Sequence, residues 1–207
     1  FYNSYLKGRI QLPEELIRCE TTIKNKKHLK LLGAEGNTFG YALNNIDSIS
    51  AILLTHEHYD HIGGLDDIRP LGETQLYAEK RVLSVIQRNM PYCFVDRKYP
   101  GVPSIHLHEI NENDFFINDI RVQPIRIMHA KLPILGFRIG KVAYLTDIKT
   151  IDDHSIDKLQ DLDILVMNAL RISNHISHLS LKEAIEIAER IGARKTYFTH
   201  MSHDIGL

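Results

Sequence analysis

Short apolar runs recur along most of this chain, with amphipathic stretches between them, and this pattern predicts alternating strands and helices. The apolar runs predict strands at residues 51–54, 76–78, 105–109, 120–128, 142–146, 163–167 and 195–199. The amphipathic stretches predict helices near residues 65–69, 79–87 and 181–191. Over residues 46–200 the alternation therefore predicts an α/β fold.

The first 45 residues do not follow this pattern. A plausible helix start near Pro13 is followed by a basic cluster at residues 24–30 and by glycines that are typical of a loop. We expect a single domain over residues 1–207 whose residues 1–45 are irregular or truncated.

The composition is that of an ordinary globular chain. It has 207 residues, 43% hydrophobic and 25% charged, with a formal net charge of -1, so any phosphate recognition must be local. No apolar stretch approaches the roughly 20 residues of a membrane span and no leader pattern opens the chain, so we expect a cytoplasmic location. Cys19 and Cys93 stand far apart without further cysteines nearby, and we expect both to be free thiols.

A cluster of side chains that can bind metal ions follows the first predicted strand. His56 and His58 project to the same side of an extended chain, while Asp60 and His61 arrive on the turn that follows and can point back toward them. Neutral imidazole and carboxylate suit Zn, Mn or Fe. Four such groups exceed what one open catalytic ion needs from so short a segment, which favours two metal ions.

Three further ligand-type residues each stand just past a strand-like run: His129, Asp147 and His200. Ligand sites in open α/β sheets lie at such strand ends, so these positions agree with the metal hypothesis.

The last predicted helix begins with a capping box formed by Ser180 and Glu183, and Gly192 is suited to end it. His178 lies just ahead of the helix N-terminus, where an anionic ligand is favoured. On the same loop we expect His175 to be structural or exposed. On the predicted strand at residues 105–109, we expect His106 and His108 to face solvent.

The string His-Glu-His-Tyr-Asp-His-Ile-Gly-Gly-Leu-Asp-Asp-Ile-Arg-Pro, from His56 to Pro70, resembles the metal-binding signature of the metallo-β-lactamase superfamily. Within it, the string is similar to the branch of phosphoribosyl cyclic phosphodiesterases and RNase Z. The resemblance implies a four-layer αββα sandwich. The branch's opening hairpin, glycine-rich loop and early cysteine cluster are missing or altered here, so we expect an exposed sheet edge that a second copy of the chain, in a homodimer, would cover.

The resemblance also implies roles for the site residues. One divalent ion would be held by His56, His58 and His129, the other by Asp60, His61 and His200, with Asp147 bridging. Asp60 and His178 would be catalytic, His178 as a general acid beside the phosphate. His203 would give outer support to the ligands.

The favoured function is a binuclear hydrolase, a phosphodiesterase acting on a small cyclic or nucleotide-like phosphodiester. Three alternatives stay open: a tRNA 3′-end endonuclease like RNase Z, a lactone or thioester hydrolase, and a non-catalytic binding protein of the same fold. Nucleic acid is a less favoured substrate, because no basic arm for tRNA is visible in the sequence.

Overall fold

The computed structural model describes residues 51–205, so the expectations for residues 1–45 and for Cys19 lie outside the described residues. Within this range the chain forms two compact units, residues 51–111 and residues 112–205. That residues 1–207 form one domain stays a prediction. No helix in the described part of the chain is long and apolar enough to cross a membrane.

The first unit is built on a parallel three-stranded sheet in the order β1-β2-β3. Its strands are β1 (Ala51–Leu53), β2 (Glu73–Ala78) and β3 (Ser104–Glu109). Its helical elements are α1 (Tyr59–Ile62), a 3-10 helix (Gly63–Leu71), α2 (Lys80–Asn89) and a 3-10 turn (Pro91–Cys93).

Strand β2 shows why this unit folds as it does. Thr74, Leu76 and Ala78 alternate along it and are buried, so one face of the strand is apolar. Leu76 and Ala78 belong to a core that includes Val82 and Ile86 from the apolar side of α2. Burying such side chains removes apolar surface from water, at roughly 1.5–3 kcal/mol for each large one.

The second unit is a mixed six-stranded sheet in the order β4-β5-β6-β7-β8-β9. The strands are β4 (Phe115–Ile117), β5 (Ile120–His129), β6 (Leu132–Ile139), β7 (Val142–Leu145), β8 (Ile164–Asn168) and β9 (Lys195–Thr199). The pairs from β4 to β7 are antiparallel, and β7, β8 and β9 are parallel neighbours. Two helices, α3 (Asp153–Asp157) and α4 (Leu181–Ile191), and a 3-10 turn (His203–Ile205) complete it.

The hairpin of β6 and β7 depends on a glycine. A Cβ at Gly136 would lie 2.4 Å from Leu145 Cδ2 and 2.9 Å from the carbonyl oxygen of Tyr144. Only a residue without a side chain allows this approach of the two strands.

The structure differs from the sequence prediction in several elements. Helices α1 and α3 and the two short 3-10 turns were not predicted. The predicted short helix at residues 65–69 is part of a longer 3-10 helix, Gly63–Leu71. Strands β4 and β6 were not predicted. β6 carries Pro133 and Gly136, two residues that weaken strand signals, and its antiparallel pairing with β5 overrides them.

The free thiol predicted for Cys93 is confirmed: the residue is buried and unbridged. Its burial raises the pKa of the thiol, which keeps the side chain protonated and unreactive.

The predicted capping box of α4 is present. Ser180 Oγ accepts a hydrogen bond from the Glu183 N–H, and Glu183 Oε2 accepts one from the Ser180 N–H at 2.7 Å. Gly192 ends the helix with a positive φ of 70°. Glu183 also pairs with Lys149 at 2.7 Å. Burial alone would raise the pKa of Glu183, but the hydrogen bonds from Lys149 and Ser180 outweigh it and hold that pKa below its usual value.

Replacing Glu183 with glutamine should therefore destabilise the protein in a pH-dependent way. A carboxylate with a lowered folded-state pKa contributes stability above its unfolded pKa of about 4.3 and loses the contribution as the pH falls through the folded-state value. We expect a loss on the order of 1 kcal/mol at neutral pH that shrinks toward zero in acid. Denaturant unfolding at both pH values checks this. Glu186→Gln on the exposed side of α4 is the control, and equal effects of the two variants at neutral pH would contradict the role of Glu183.

Candidate metal centre

The first group of candidate ligands lies at the end of β1. Leu54 still hydrogen-bonds β2 through the Tyr77 carbonyl at 3.0 Å, which keeps the chain extended into His56. His56 is fully buried, and its Nδ1 lies 3.0 Å from Thr55 Oγ1. His56 Nε2 lies 3.0 Å from His58 Nδ1. The strand end thus brings two imidazole nitrogens together, as the sequence predicted.

Helix α1 begins directly after His58 and carries Asp60 and His61. The ring of His61 lies 4.2 Å from that of His56, and its Nε2 lies 3.4 Å from Asp60 Oδ2. Asp60 and His61 were predicted on a turn, and a single helical turn is what positions them. All four predicted ligands of this unit therefore lie together.

The spacing of the two imidazole nitrogens fits a shared ion. Two nitrogens bound to one tetrahedral zinc at 2.0–2.1 Å would lie about 3.3 Å apart, close to the 3.0 Å between His56 Nε2 and His58 Nδ1. The hydrogen bond between Thr55 and His56 Nδ1 leaves Nε2 as the ligand atom, which is the usual arrangement for a metal-binding imidazole.

The second group gathers around Asp147, just past β7. The Asp147 carboxylate is 2% exposed. Thr146 donates a hydrogen bond to Oδ1 at 2.9 Å, His200 Nε2 lies 3.3 Å from Oδ1, and His178 Nε2 lies 3.5 Å from Oδ2. Each carboxylate oxygen therefore faces a different imidazole, and the bridging role of Asp147 stays a prediction.

His129 is the last residue of β5, and its orientation is set by the backbone. Its Nδ1 lies 2.8 Å from the Asp147 carbonyl oxygen, so Nδ1–H donates and Nε2 is left as a ligand atom. His129, Asp147 and His178 each offer a ligand atom within 4.8 Å of the others. The chemistry and spacing of these donors fit a divalent metal ion.

Backbone strain marks two of the candidate ligands. Asp147 and His200 have positive φ values of 59° and 53°, a conformation that non-glycine residues seldom adopt. Such residues persist only where surrounding contacts hold them, and they are concentrated at functional sites.

Asn168, at the end of β8, supplies one of these contacts. It is fully buried, its Oδ1 accepts from the Ile148 N–H at 2.7 Å, and its Nδ2 donates to the Ile148 carbonyl at 3.2 Å. The side chain thereby clamps the residue that follows strained Asp147. The sequence analysis assigned no role to Asn168, because a clamp across 20 residues leaves no local pattern.

Glu57 was also missed as a supporting residue. It stands between the two histidines of the first group and forms an ion pair with Arg81 on α2. Its other oxygen, Oε2, is buried and has no hydrogen-bond partner in the part of the chain that the structure describes. The sequence signal for a supporting role of Glu57 was its position inside the histidine motif.

The remaining histidines divide into two kinds. His108 is half-buried, stacked on Tyr77 at 4.4 Å and 2.6 Å from Gln75, so the solvent-facing expectation was wrong for it, whereas His106 is exposed. His203 is exposed in the last 3-10 turn, and its supporting role stays a prediction. His175, expected to be structural or exposed, is half-buried against His178 with the two Nδ1 atoms 3.2 Å apart.

The end of one strand carries a His-x-His-x-Asp-His group. The ends of other strands bring imidazoles next to a buried aspartate. These two features are typical of metal-dependent hydrolases. A family model described as the beta-lactamase superfamily domain matches residues 34–201, so this chain belongs to the beta-lactamase superfamily. The predicted α/β fold of the metallo-β-lactamase type is thereby confirmed.

This chain is similar to two named relatives and to one solved structure. An octanoyltransferase of Porphyromonas gingivalis is 43% identical over 163 residues, covering 76% of this chain and 33% of the relative. The exodeoxyribonuclease WalJ of Streptococcus pneumoniae is 24% identical, covering 76% of this chain and 65% of the relative. The crystal structure of a new diphosphatase from the PhnP family is 35% identical with a TM-score of 0.72, covering 82% of this chain and 66% of that chain. This chain thus spans a third of the first relative and just under two thirds of the other two.

We expect Asn168→Ala to weaken both the fold and the metal site. The substitution leaves the Ile148 N–H and carbonyl without their buried partner, a cost of about 1–3 kcal/mol, and frees the backbone after Asp147. Denaturant unfolding and the bound metal per chain measure the two effects. Asn174→Ala, at an exposed position, is the control. Unchanged metal content in Asn168→Ala would show that something else holds Asp147.

Proposed function

We propose that this protein is a metal-dependent phosphodiesterase that cleaves a small cyclic or nucleotide-like phosphodiester. Two divalent ions, zinc or manganese with iron as a further fit, would be held by His56, His58, Asp60, His61, His129, Asp147 and His200. Bound there, such ions lower the pKa of a coordinated water and neutralise charge on phosphoryl oxygens.

The single observation that carries the proposal is the position of His178. Its Nε2 is buried, lies 3.5 Å from Asp147 Oδ2 and has no hydrogen-bond partner among residues 51–205. The seven proposed ligands would suffice for two ions, so we assign His178 to proton transfer, although it also offers an atom within 4.8 Å of ligand atoms of His129 and Asp147. An alkoxide leaves slowly unless it is protonated as it departs, and a protonated imidazole is suited to donate that proton. Thioester hydrolysis by the same ligands would not require it, because a thiolate leaves without being protonated.

The relatives support phosphorus–oxygen chemistry. A diphosphatase and an exodeoxyribonuclease both break phosphoric ester or anhydride bonds. The octanoyltransferase supports acyl chemistry less directly, because two thirds of that relative lie outside the match. The octanoyltransferase activity of that relative can therefore reside in the part of its chain that lies outside the match.

The side chains then have distinct tasks. Asp147, held by Thr146 and by the clamp on Ile148, would serve both ions and orient them toward the phosphate. We also propose a catalytic role for Asp60, which would position the attacking water. In its doubly protonated, imidazolium form His178 would donate the Nε2 proton to the departing oxygen and keep the proton on Nδ1, and a proton from water would then restore that form.

A nuclease is the second candidate, because the exodeoxyribonuclease match extends over 76% of this chain. We favour a small substrate, since the net charge of -1 gives no general attraction to a polyanion.

Metal-loaded protein should hydrolyse bis(p-nitrophenyl) phosphate faster than any member of a lactone and thioester panel. If the protein hydrolysed single-stranded DNA faster than it hydrolysed small diesters, the nuclease would be favoured.

The homodimer also stays a prediction.

Asp147→Ala should lose both metal ions. A carboxylate shared by two ions contributes to both coordination spheres, so its removal should reduce bound metal from two ions per chain toward none and abolish hydrolysis. Elemental analysis of the purified variant checks this. Asp163→Ala, which removes a surface carboxylate at the start of β8, is the control. Two retained ions in Asp147→Ala would exclude the bridging role.

His178→Ala should keep its metal but lose hydrolysis selectively. General acids contribute about 10²- to 10⁴-fold, and we expect a loss in this range for a diester with an alkyl alcohol as leaving group. A p-nitrophenol leaving group needs little protonation, so its release should fall much less. The rates on both substrates are compared with His154→Ala, an exposed histidine of α3. Equal losses on both substrates would assign His178 to phosphate binding instead.

A further inference from the structure

The loop between β8 and α4 contains a compact group of two imidazoles and a serine. His178 Nδ1 lies 3.0 Å from Ser177 Oγ and 3.2 Å from His175 Nδ1. The Ser177 backbone N–H donates to His175 Nδ1 at 3.3 Å, and Ser177 Oγ lies 3.3 Å from the same nitrogen. All these contacts meet on the side of His178 away from Asp147.

Counting protons in this group gives a definite tautomer. His175 Nδ1 accepts the Ser177 N–H, so this nitrogen is unprotonated and presents a lone pair. If His178 Nδ1 were also unprotonated, two lone pairs would face each other at 3.2 Å, with one serine hydroxyl proton to serve both. A proton on His178 Nδ1 satisfies every member of the group, because it can be donated to Ser177 Oγ and His175 Nδ1.

We propose that His175 is a positioning residue for His178: its Nδ1 anchors the Nδ1–H of His178, so that Nε2, facing Asp147, is the nitrogen that exchanges a proton with substrate. The proposal rests on the proposed function of His178 as a general acid. Supporting imidazoles by a hydrogen bond at the far nitrogen is a general way to fix both their tautomer and their ring orientation.

The surroundings of His175 keep it an acceptor. Burial lowers the pKa of His175, and the positive charges of His178, Arg171 and Lys149 lower it further, so the ring stays neutral. Arg171 is itself held by the Asn174 carbonyl at 2.8 Å on the same loop. Ile176, between His175 and Ser177, is 83% exposed, so its side chain adds no apolar anchor to this part of the loop. The imidazole contacts therefore have a large share in holding His178 in place.

The first test reads the tautomer directly. Zinc-loaded protein labelled with ¹⁵N-histidine is compared by NMR with His175→Leu and His175→Asn, and the His178 signal is assigned by its absence in His178→Gln. We expect Nδ1–H for His178 in the wild type. His175→Leu removes the acceptor and should shift the ring toward the Nε2–H form that free imidazole side chains prefer. His175→Asn places an amide oxygen where Nδ1 was, and the Ser177 N–H selects that oxygen, so the wild-type tautomer should be retained.

The second test uses turnover. His175→Leu should lower kcat about 10- to 100-fold on an alkyl-leaving diester, with little change in KM or in metal content, and His175→Asn should restore most of it. The loss should be small with p-nitrophenol as leaving group. An unchanged His178 tautomer in His175→Leu, or equal losses in His175→Leu and His175→Asn, would overturn the proposal.

The two proposals fail in different ways. A ¹⁵N signal typical of zinc-bound Nε2 at His178 would overturn the general acid and leave His175 as support for a metal ligand. An inactive wild type with the expected tautomer shift would overturn the proposed phosphodiesterase alone.

Discussion

The centre depends on a carboxylate that has been taken out of water. Asp147 is almost completely buried, and an isolated buried charge is costly unless it is paired and hydrogen-bonded. A hydroxyl and two imidazoles approach its oxygens, and its own carbonyl receives the proton of a third imidazole. The strained backbone at this residue aims the carboxylate at these partners, and Asn168 stabilises that backbone. These contacts relate the positions of His129, His178 and His200 to Asp147.

Sheet topology explains why the partners come from distant parts of the sequence. β5, β7, β8 and β9 all run in one direction, because two antiparallel steps separate β5 from β7 and the last three strands are parallel. Their carboxyl ends therefore lie at one edge of the sheet. His129 ends β5, Asp147 follows β7, and His200 follows β9, whereas β6 runs the opposite way and contributes no ligand. Side chains that are over 70 residues apart in sequence meet without any local motif joining them.

This topology also separates what the sequence could reveal from what it could not. The candidate ligands could be proposed from sequence because they stand at or shortly after the ends of apolar runs, and the capping box of α4 was predictable because its two members stand three residues apart. Asn168, and the pairing of Glu57 with Arg81, act through contacts across 20 or more residues, which no window of sequence contains. Strand β6 was hidden for a related reason: its proline and glycine disfavour a strand locally, and pairing with β5 on one side and β7 on the other stabilises it.

The same reasoning sets apart the two kinds of histidine at this centre. His178 Nε2 faces the Asp147 carboxylate and His129 has its Nε2 left as a ligand atom, yet the other ring nitrogens of the two residues are held differently. His129 donates to a backbone carbonyl, a fixed contact within the sheet that suits a permanent ligand. His178 is held at Nδ1 by Ser177 and His175, and its ring also contacts those of His129 and His200. The far nitrogen of His178 thus meets side chains that can fix the tautomer needed for the proposed proton transfer, and the backbone contact at the strand end suits His129 to binding metal.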